Sequence, residues 1–287
     1  MGHMNVRHYL AHAGSGLAGL AFVCGMPDAF ARGANSTILP REHHVRFLRE
    51  ARAGAPLHIE GGVLSVGEAE AEILLIMRHS LSGEPCASFV IALEHVTGAG
   101  RSFPWSSRAR SALEAHRCER PAFAGPRGVP GGGVKTTAAL RRADALKMPS
   151  AGLGIVRPDE CDLHGRLRPD SVMARFSDGA AQLFGAPGEP HTRRGGPRVG
   201  GALLEIRILQ HRAAGVGQLL TLRSTLTATD PRLNHLTHWL LDAASGEPVA
   251  TARGVAAALD LDARRLVERT PDQLAALGDR LIPQAGW

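Results

Sequence analysis

The sequence predicts an α+β protein of two tandem halves, each one helix followed by an antiparallel meander. Three observations carry that prediction. Ser-Gly-Glu-Pro occurs at Ser82 and again at Ser245, an offset of 163 residues. The same offset brings Gly2 onto Gly165, Ala11 onto Ala174, Gly16 onto Gly179, Ala18 onto Ala181 and Leu20 onto Leu183. With a gap of two residues, HVRFLREARAG (His44–Gly54) also aligns with EIRILQHRAAG (Glu205–Gly215). Three collinear matches are the signature of an internal repeat.

The elements follow in order. Helices are expected at Asn5–Val23 and Pro169–Leu183. Pro169 suits a first helical turn, where its missing N–H is no loss. Extended runs follow in pairs: His44–Arg52 and Glu205–Arg212, Leu57–Val66 and Gln218–Ala228, Glu70–His79 and His235–Asp242, Cys86–His95 and Val249–Leu259. They are Leu- and β-branched-rich and bounded by Gly, Pro, Asp or Ser. Ser-Gly-Glu-Pro reads as the hairpin connection before the last of them. Ser106–Arg117 is expected to be a short helix closing the first half. Arg264–Leu281 reads as a terminal helix started by Thr270-Pro271-Asp272.

Between the halves, GPRGVPGGGV (Gly125–Val134) reads as a flexible linker, with poor packing expected around it. The predicted organisation is 1–112 for the first half, 113–150 for the Gly/Pro-rich linker and 151–287 for the second half. GGGVKTT is not a phosphate loop, because Val134 separates Gly133 from Lys135 and no apolar strand precedes it.

Composition sets outer bounds. The chain has 287 residues, 44% hydrophobic and 21% charged, enough for a sizeable core. Aromatics are only 4%, so that core is mostly aliphatic. The net charge is +6, but only Lys135 and Lys147 of the 33 basic residues are lysines. Arginine bias of this kind fits a GC-rich genome, or a polyanionic ligand such as a phosphate-bearing cofactor. No zinc-finger spacing, RNP-like motif or basic helix supports nucleic acid. Cys24, Cys86, Cys118 and Cys161 are scattered, indicating neither a zinc site nor a disulfide framework, and reduced thiols in the cytoplasm are the expectation. The apolar start before Cys24 is interrupted by His12 and several glycines, and Val23 is not a cleavage-site residue, which argues against a signal peptide. No apolar run approaches a membrane span.

Two stretches, GHMNVRHYL (Gly2–Leu10) and VRPDECDLHGRLRPDSVMARFSDGA (Val156–Ala180), resemble the strand-to-helix entry of hotdog-fold acyl-CoA thioesterases, the superfamily of 4-hydroxybenzoyl-CoA thioesterase. There an Asp, two residues and Gly-His-Met-Asn or a variant lead into the helix. The resemblance implies two tandem hotdog halves, each an antiparallel sheet wrapped around a long helix. The halves divide the pattern. The second has Asp162 three residues before Gly165 but continues Arg166-Leu167-Arg168, whereas the first has Gly2-His3-Met4-Asn5 with no acidic residue or strand ahead of it.

The implied activity is hydrolysis of an acyl-CoA thioester, without a cofactor or metal. It requires a polarised carbonyl and an activated water or a nucleophile. Asp162 is the expected general base or nucleophile, and a helix N-terminus the expected oxyanion site. Asp178, on the second helix, is a further catalytic candidate. Gly165, Arg166, His3 and Asn5 are the expected substrate-binding residues. The competing roles are structural: Asp162 as a loop carboxylate paired with Arg166 or Arg168, Asp178 as a surface carboxylate paired with Arg175, and Asn5 as a helix cap. Alternative functions are acyl-ACP hydrolysis, to which a basic surface is suited, and non-catalytic binding of an acyl ligand by a double hotdog. Expected partners are acyl-CoA or acyl-ACP, with neither nucleic acid nor a membrane span, and with homo-oligomers of double-hotdog units left open.

Overall fold

The computed structural model of the protein describes residues 4–132, 136–184, 199–260, 262–263 and 265–286. They form two compact units. The first comprises Met1–Pro126 and Arg157–Met173, the second Arg127–Val156 and Ala174–Trp287. Gly2 and His3, expected at the first helix entry, lie outside the described residues.

The first unit begins with α1 (Val6–Val23), then β1 (Ser36–Phe47), β2 (Leu57–Val66), β3 (Glu70–His79) and β4 (Pro85–Thr97), and α2 (Ser107–Ala115). Its strands are all antiparallel, in the order β2-β3-β4-β1. One stripe of α1 is buried: Tyr9, Leu10, Ala13, Leu17 and Ala21, a spacing that keeps them on one face. The first turn of α1 is tied down where the Tyr9 hydroxyl accepts the Ala51 N–H at 3.0 Å.

The second unit holds α3 (Leu140–Ala145), β5 (Ser150–Ile155), most of α4 (Pro169–Phe184), β6 (Val199–Gln210), β7 (Leu219–Thr229), β8 (Leu233–Asp242), β9 (Pro248–Asp260), the short β10 (Arg265–Leu266) and α5 (Pro271–Gly278). Its order is β6-β9-β8-β7-β5, again antiparallel, with β10 on β9.

The repeat extends to the irregularities. Register shifts at Pro40/Glu42, Val63/Ser65 and Met77/Arg78 recur at Leu203/Glu205, Leu226/Ala228 and Leu240/Leu241, each 163 residues on. Both Ser-Gly-Glu-Pro turns close identically: Gly83 N–H donates to His79 O and Gly246 N–H to Asp242 O, each glycine at positive φ. Leu48 and His211 donate to Cys86 O and Val249 O, also 163 apart. The gapped alignment of His44–Gly54 with Glu205–Gly215 is therefore wrong by two residues, and Glu42, not His44, is the counterpart of Glu205.

Two more expectations need correction. β1 starts eight residues before His44, because Pro40 and the charged run after it hide a strand whose buried positions are Thr37, Ile38 and His43–Val45. The terminal helix is shorter than Arg264–Leu281: β10 takes Arg265–Leu266, and the Thr270–Gln273 capping box starts α5 only at Pro271.

The described part of the linker is anchored rather than loose; Gly133 and Val134 lie outside the described residues. Cys118, Phe123 and Ala124 cover Leu74, Ile76 and Val90 on the first sheet. Ala138, Leu140, Ala143, Leu146 and Met148 cover Trp239 and Leu241 on the second. In between, Arg46 donates to Gly125 O at 2.7 Å, and the buried Arg207 donates to Pro130 O at 3.0 Å and to Gly132 O. The Glu205 carboxylate accepts Arg127 N–H at 3.0 Å and Gly128 N–H at 2.7 Å. Glycine and proline here let the backbone present its polar groups to these side chains.

In each unit the helix lies closest to the sheet at a glycine. A Cβ on Gly16 would stand 2.8 Å from Ile59 Cγ2, and one on Gly179 would stand 2.6 Å from Leu222 Cδ2 and 3.1 Å from Ala151 Cβ. Ile59 and Leu222 are also 163 apart. A leucine tip can swing away, but Ala151 Cβ is fixed by its strand. Gly179→Ala is therefore expected to lose about 1–3 kcal/mol of stability by overpacking. Gly19→Ala, at an exposed helical site with nothing within 4 Å, is expected to gain about 0.5–1 kcal/mol from helix propensity. Urea midpoints of the two variants measure this; stabilisation of both would show that α4 has room to spare.

Acid sensitivity follows from two buried imidazoles. His43 on β1 and His238 on β8 are 3% and 2% exposed, and burial pushes both pKa values down to about 4. His238 is held by Ser224 Oγ at 2.8 Å and stacks on Phe176. The unfolded chain takes up these protons near pH 6.5, the folded one only near 4. Stability is thus full above about 6.5 and falls on acidification by about 1.4 kcal/mol per pH unit per histidine. Denaturant titrations at pH 7, 6 and 5 should show that slope, and His43→Leu should flatten it; an unchanged slope would remove His43 from the account.

Candidate functional site

The candidate site is built on the segment leading into α4, residues 157–173, which belongs to the first unit. A 3₁₀ turn at Pro158–Glu160 precedes a tight loop closed by the Cys161–Leu167 bridge. Asp162 organises the loop. Its Oδ1 accepts the N–H groups of His164 and Arg166, both at 2.9 Å, and its Oδ2 accepts Arg166 Nε at 3.1 Å. Gly165 at φ 74° makes the reversal, and nothing lies within 4 Å of where a Cβ would be, so the backbone there is open to a ligand. The competing structural role of Asp162, a loop carboxylate paired with Arg166, is thus realised. One Oδ2 lone pair is not used by these bonds.

Arg168 ties the loop to the helix. Its Nη1 donates to Asp159 O at 3.0 Å and Cys161 O at 2.9 Å, and its Nε donates to Asp170 Oδ1 at 3.0 Å. Asp170, 7% exposed in the first turn of α4, is also 3.7 Å from Arg7 Nη2 on α1. The two helix entries, far apart in sequence, therefore meet within one unit. The α4 N-terminus itself has little to offer an oxyanion. Pro169 has no N–H, the Ser171 and Val172 N–H groups both point at Arg168 O, and Asp170 already occupies the positive end of the dipole.

Unpaired polar atoms lie beside it instead. Arg166 Nη1, His164 Nε2, Ser171 Oγ and Arg7 Nε are buried without a hydrogen-bond partner among the described residues. Buried polar atoms left unsatisfied are costly and mark places where a ligand or water belongs. Arg166 is the most telling: its Nε holds Asp162 while its Nη1 is free to bind an oxygen. Cys161, next in the chain, is a poor nucleophile, because burial and then the Asp162 charge push its thiol pKa up.

The other predicted residues are placed less suggestively. Asn5 is exposed and caps α1, its Oδ1 accepting Arg7 N–H at 3.0 Å. Asp178 lies on the exposed face of α4, in the second unit, with no partner among the described residues. No group of three or more His, Cys, Asp or Glu among the described residues could hold a metal. No helix among them is long and apolar enough to cross a membrane.

A cavity of about 680 Å³ opens beyond the C-terminal end of α1, walled by 25–38, the end of β4 and the start of α2. His95, Phe103 and Ile38 line it. His164 borders the same region, since its ring and Ala34 O both lie within 4 Å of a Cβ built on Gly98. Nothing in the motif reading singled out His95. The signal was Phe103-Pro104-Trp105, a knot of aromatics in a chain with few.

Residues 1–119 match the family described as the thioesterase-like superfamily. No curated protein matches the chain in sequence. Among solved structures, a Lactobacillus plantarum protein described as an oleoyl thioesterase superimposes with a TM-score of 0.65 at 11% identity, over 89% of this chain and 90% of that one. An acyl-ACP thioesterase from Bacteroides thetaiotaomicron gives 0.63 at 10%, over 89% and 90%. The 12:0-ACP thioesterase from Umbellularia californica gives 0.62 at 11%, over 90% and 88%. At such identities the likeness is one of fold, and the fold is a tandem double hotdog.

Proposed function

We propose that this double-hotdog chain, whose first 119 residues match the thioesterase-like superfamily, hydrolyses an acyl-CoA thioester to a carboxylic acid and the free thiol. Arg166 carries the reading: Nε paired with Asp162 Oδ2, Nη1 buried and unpartnered. A thioester carbonyl oxygen placed on Nη1 gains a charge-assisted hydrogen bond that strengthens as the oxygen becomes an oxyanion. Its carbon then lies within reach of Asp162 Oδ2, which takes a proton from an attacking water, or adds to the carbon itself to give an anhydride that water then cleaves, freeing the acid and restoring Asp162. The C–S bond breaks, sulfur leaves with the electron pair, and the proton taken from water ends on the thiol. Arg166 thus replaces the helix N–H groups as the oxyanion donor.

Acyl-ACP is the second reading, supported by two neighbours named as ACP thioesterases, each matched over about nine-tenths of this chain, and by the +6 charge, which suits an acidic carrier. The four free cysteines suit a reducing compartment, and the cytoplasm is our proposed location.

Asp162→Asn retains the Oδ1 acceptor that shapes the loop and removes the charge. Turnover of acyl-CoA is expected to fall by about 10²–10⁴ with KM within a few-fold. Arg166→Met is expected to cost about 10²–10³ in kcat. An Asn variant as active as the parent would move the chemistry elsewhere, with Asp178 next in line. A parent chain that binds thioesters and hydrolyses none would make this an acyl-ligand-binding protein.

A further inference from the structure

The chemistry proposed at the α4 entry leaves the 680 Å³ cavity unused, although that volume is within the range of small-molecule sites, about 300–1,000 Å³. We propose that it is a recognition pocket for a neutral chain bearing an N–H or O–H donor, selected by His95 Nε2. As to which molecule supplies that chain, the proposal rests on the thioester reading above.

His95 is 7% exposed and held firmly. Its ring stacks on Trp105 with centroids 4.6 Å apart and packs against Phe103 at 4.1 Å. Nδ1 faces two carbonyl oxygens, Phe103 O at 3.1 Å and Pro104 O at 3.3 Å. Carbonyls only accept, so the neutral ring carries its hydrogen on Nδ1 and leaves Nε2 a lone pair. Nε2 makes no hydrogen bond among the described residues, and it is not among the atoms sealed from solvent. The result is an acceptor fixed in orientation in a cavity wall. A ligand must donate to it.

Two further observations narrow the ligand. Among the described residues that line it, Asp28 and Arg32 are the only acidic or basic ones, one of each sign, so the wall favours neither an anion nor a cation. The fold does not need a histidine here, since the position 163 residues on is Ala258, and Leu266 and Glu268 stand where Phe103 and Trp105 would recur. The aromatic clamp belongs to the first half alone. Its neighbourhood to His164, in the Asp162 loop, puts the pocket beside the proposed chemistry.

Within a thioester two parts supply this chemistry: a hydroxyl on the acyl chain, or the amide N–H groups of the pantetheine arm that CoA and ACP share. Direct binding separates them. The probes are pantetheine, methyl 3-hydroxyoctanoate and methyl octanoate, titrated while the Trp105 indole N–H resonance is followed; that N–H donates to Glu70 O beside the pocket. At least one donor-bearing probe is expected to shift the resonance and to bind about tenfold or more tightly than methyl octanoate. Pantetheine as that probe identifies the carrier arm, the hydroxyester the acyl chain. His95→Phe keeps the ring and should erase the preference. Ala109→Leu fills the cavity from α2 with His95 intact and should abolish binding. If neither donor probe shifts Trp105, if methyl octanoate binds equally, or if Ala109→Leu binds as the parent does, the pocket assignment is overturned. Because the readout is binding, loss of activity in Asp162→Asn bears only on the hydrolysis reading, and a chain that hydrolyses nothing leaves this result intact.

Discussion

The closest approach of helix to sheet is the constraint on which each half depends. At Gly16 and Gly179 the helix backbone comes so near a strand side chain that no Cβ fits without displacement. That contact fixes the height of the helix above the sheet. The buried stripes, Leu10, Ala13 and Leu17 on α1 and Val172, Met173 and Phe176 on α4, then fall where they can pack. A core with few aromatics needs this closeness, because small aliphatic side chains fill only a thin gap. The register shifts recur at equivalent places in the two sets of strands, as expected if each set curves in the same way over its own helix.

Each sheet is buried on its second face too, by a segment whose composition suggests the opposite. The Gly/Pro-rich stretch supplies Phe123 and Ala124 to one sheet and Val129, 3% exposed, next to the Glu205 clasp. A flexible sequence becomes ordered when its peptide groups find charged partners, and Arg46, Arg207 and Glu205 are those partners. None of them adjoins the linker in sequence, which is why composition alone predicts looseness.

Most of the fold was legible because its signals are local. The helices follow a helical period, β2 and β3 were read to the residue, and the Ser-Gly-Glu-Pro offset gave the repeat. What was not legible depends on contacts between distant segments. β5, Ser150-Ala151-Gly152-Leu153-Gly154-Ile155, has two glycines and no length, and it is a strand only because β7 pairs with it. The two-residue gap was persuasive because HVRF and EIRI share a β-strand pattern, which recurs every second residue and so survives an even slip. In the candidate site, Asp162 and Arg166 were visible as types, but their pairing depends on the reversal at Gly165. His95 was invisible because fourteen histidines dilute any one of them, and only its carbonyl partners give it a defined acceptor.

The loop around Asp162 has a further consequence, which concerns synthesis. It sits in the second sequence repeat but completes the first compact unit, through Arg168, Asp170 and their contact with Arg7. As the chain leaves the ribosome, the first sheet and its helix emerge well before the segment that finishes them. Residues 127–156, destined for the other unit, pass in between. The contacts of the first unit are therefore complete only once residue 173 has emerged, so the two compact units are interleaved along the chain rather than made half by half. The boundary of the sequence repeat and those of the compact units differ. A cut at residue 150, natural by sequence, would leave the first unit without the loop that carries the proposed chemistry.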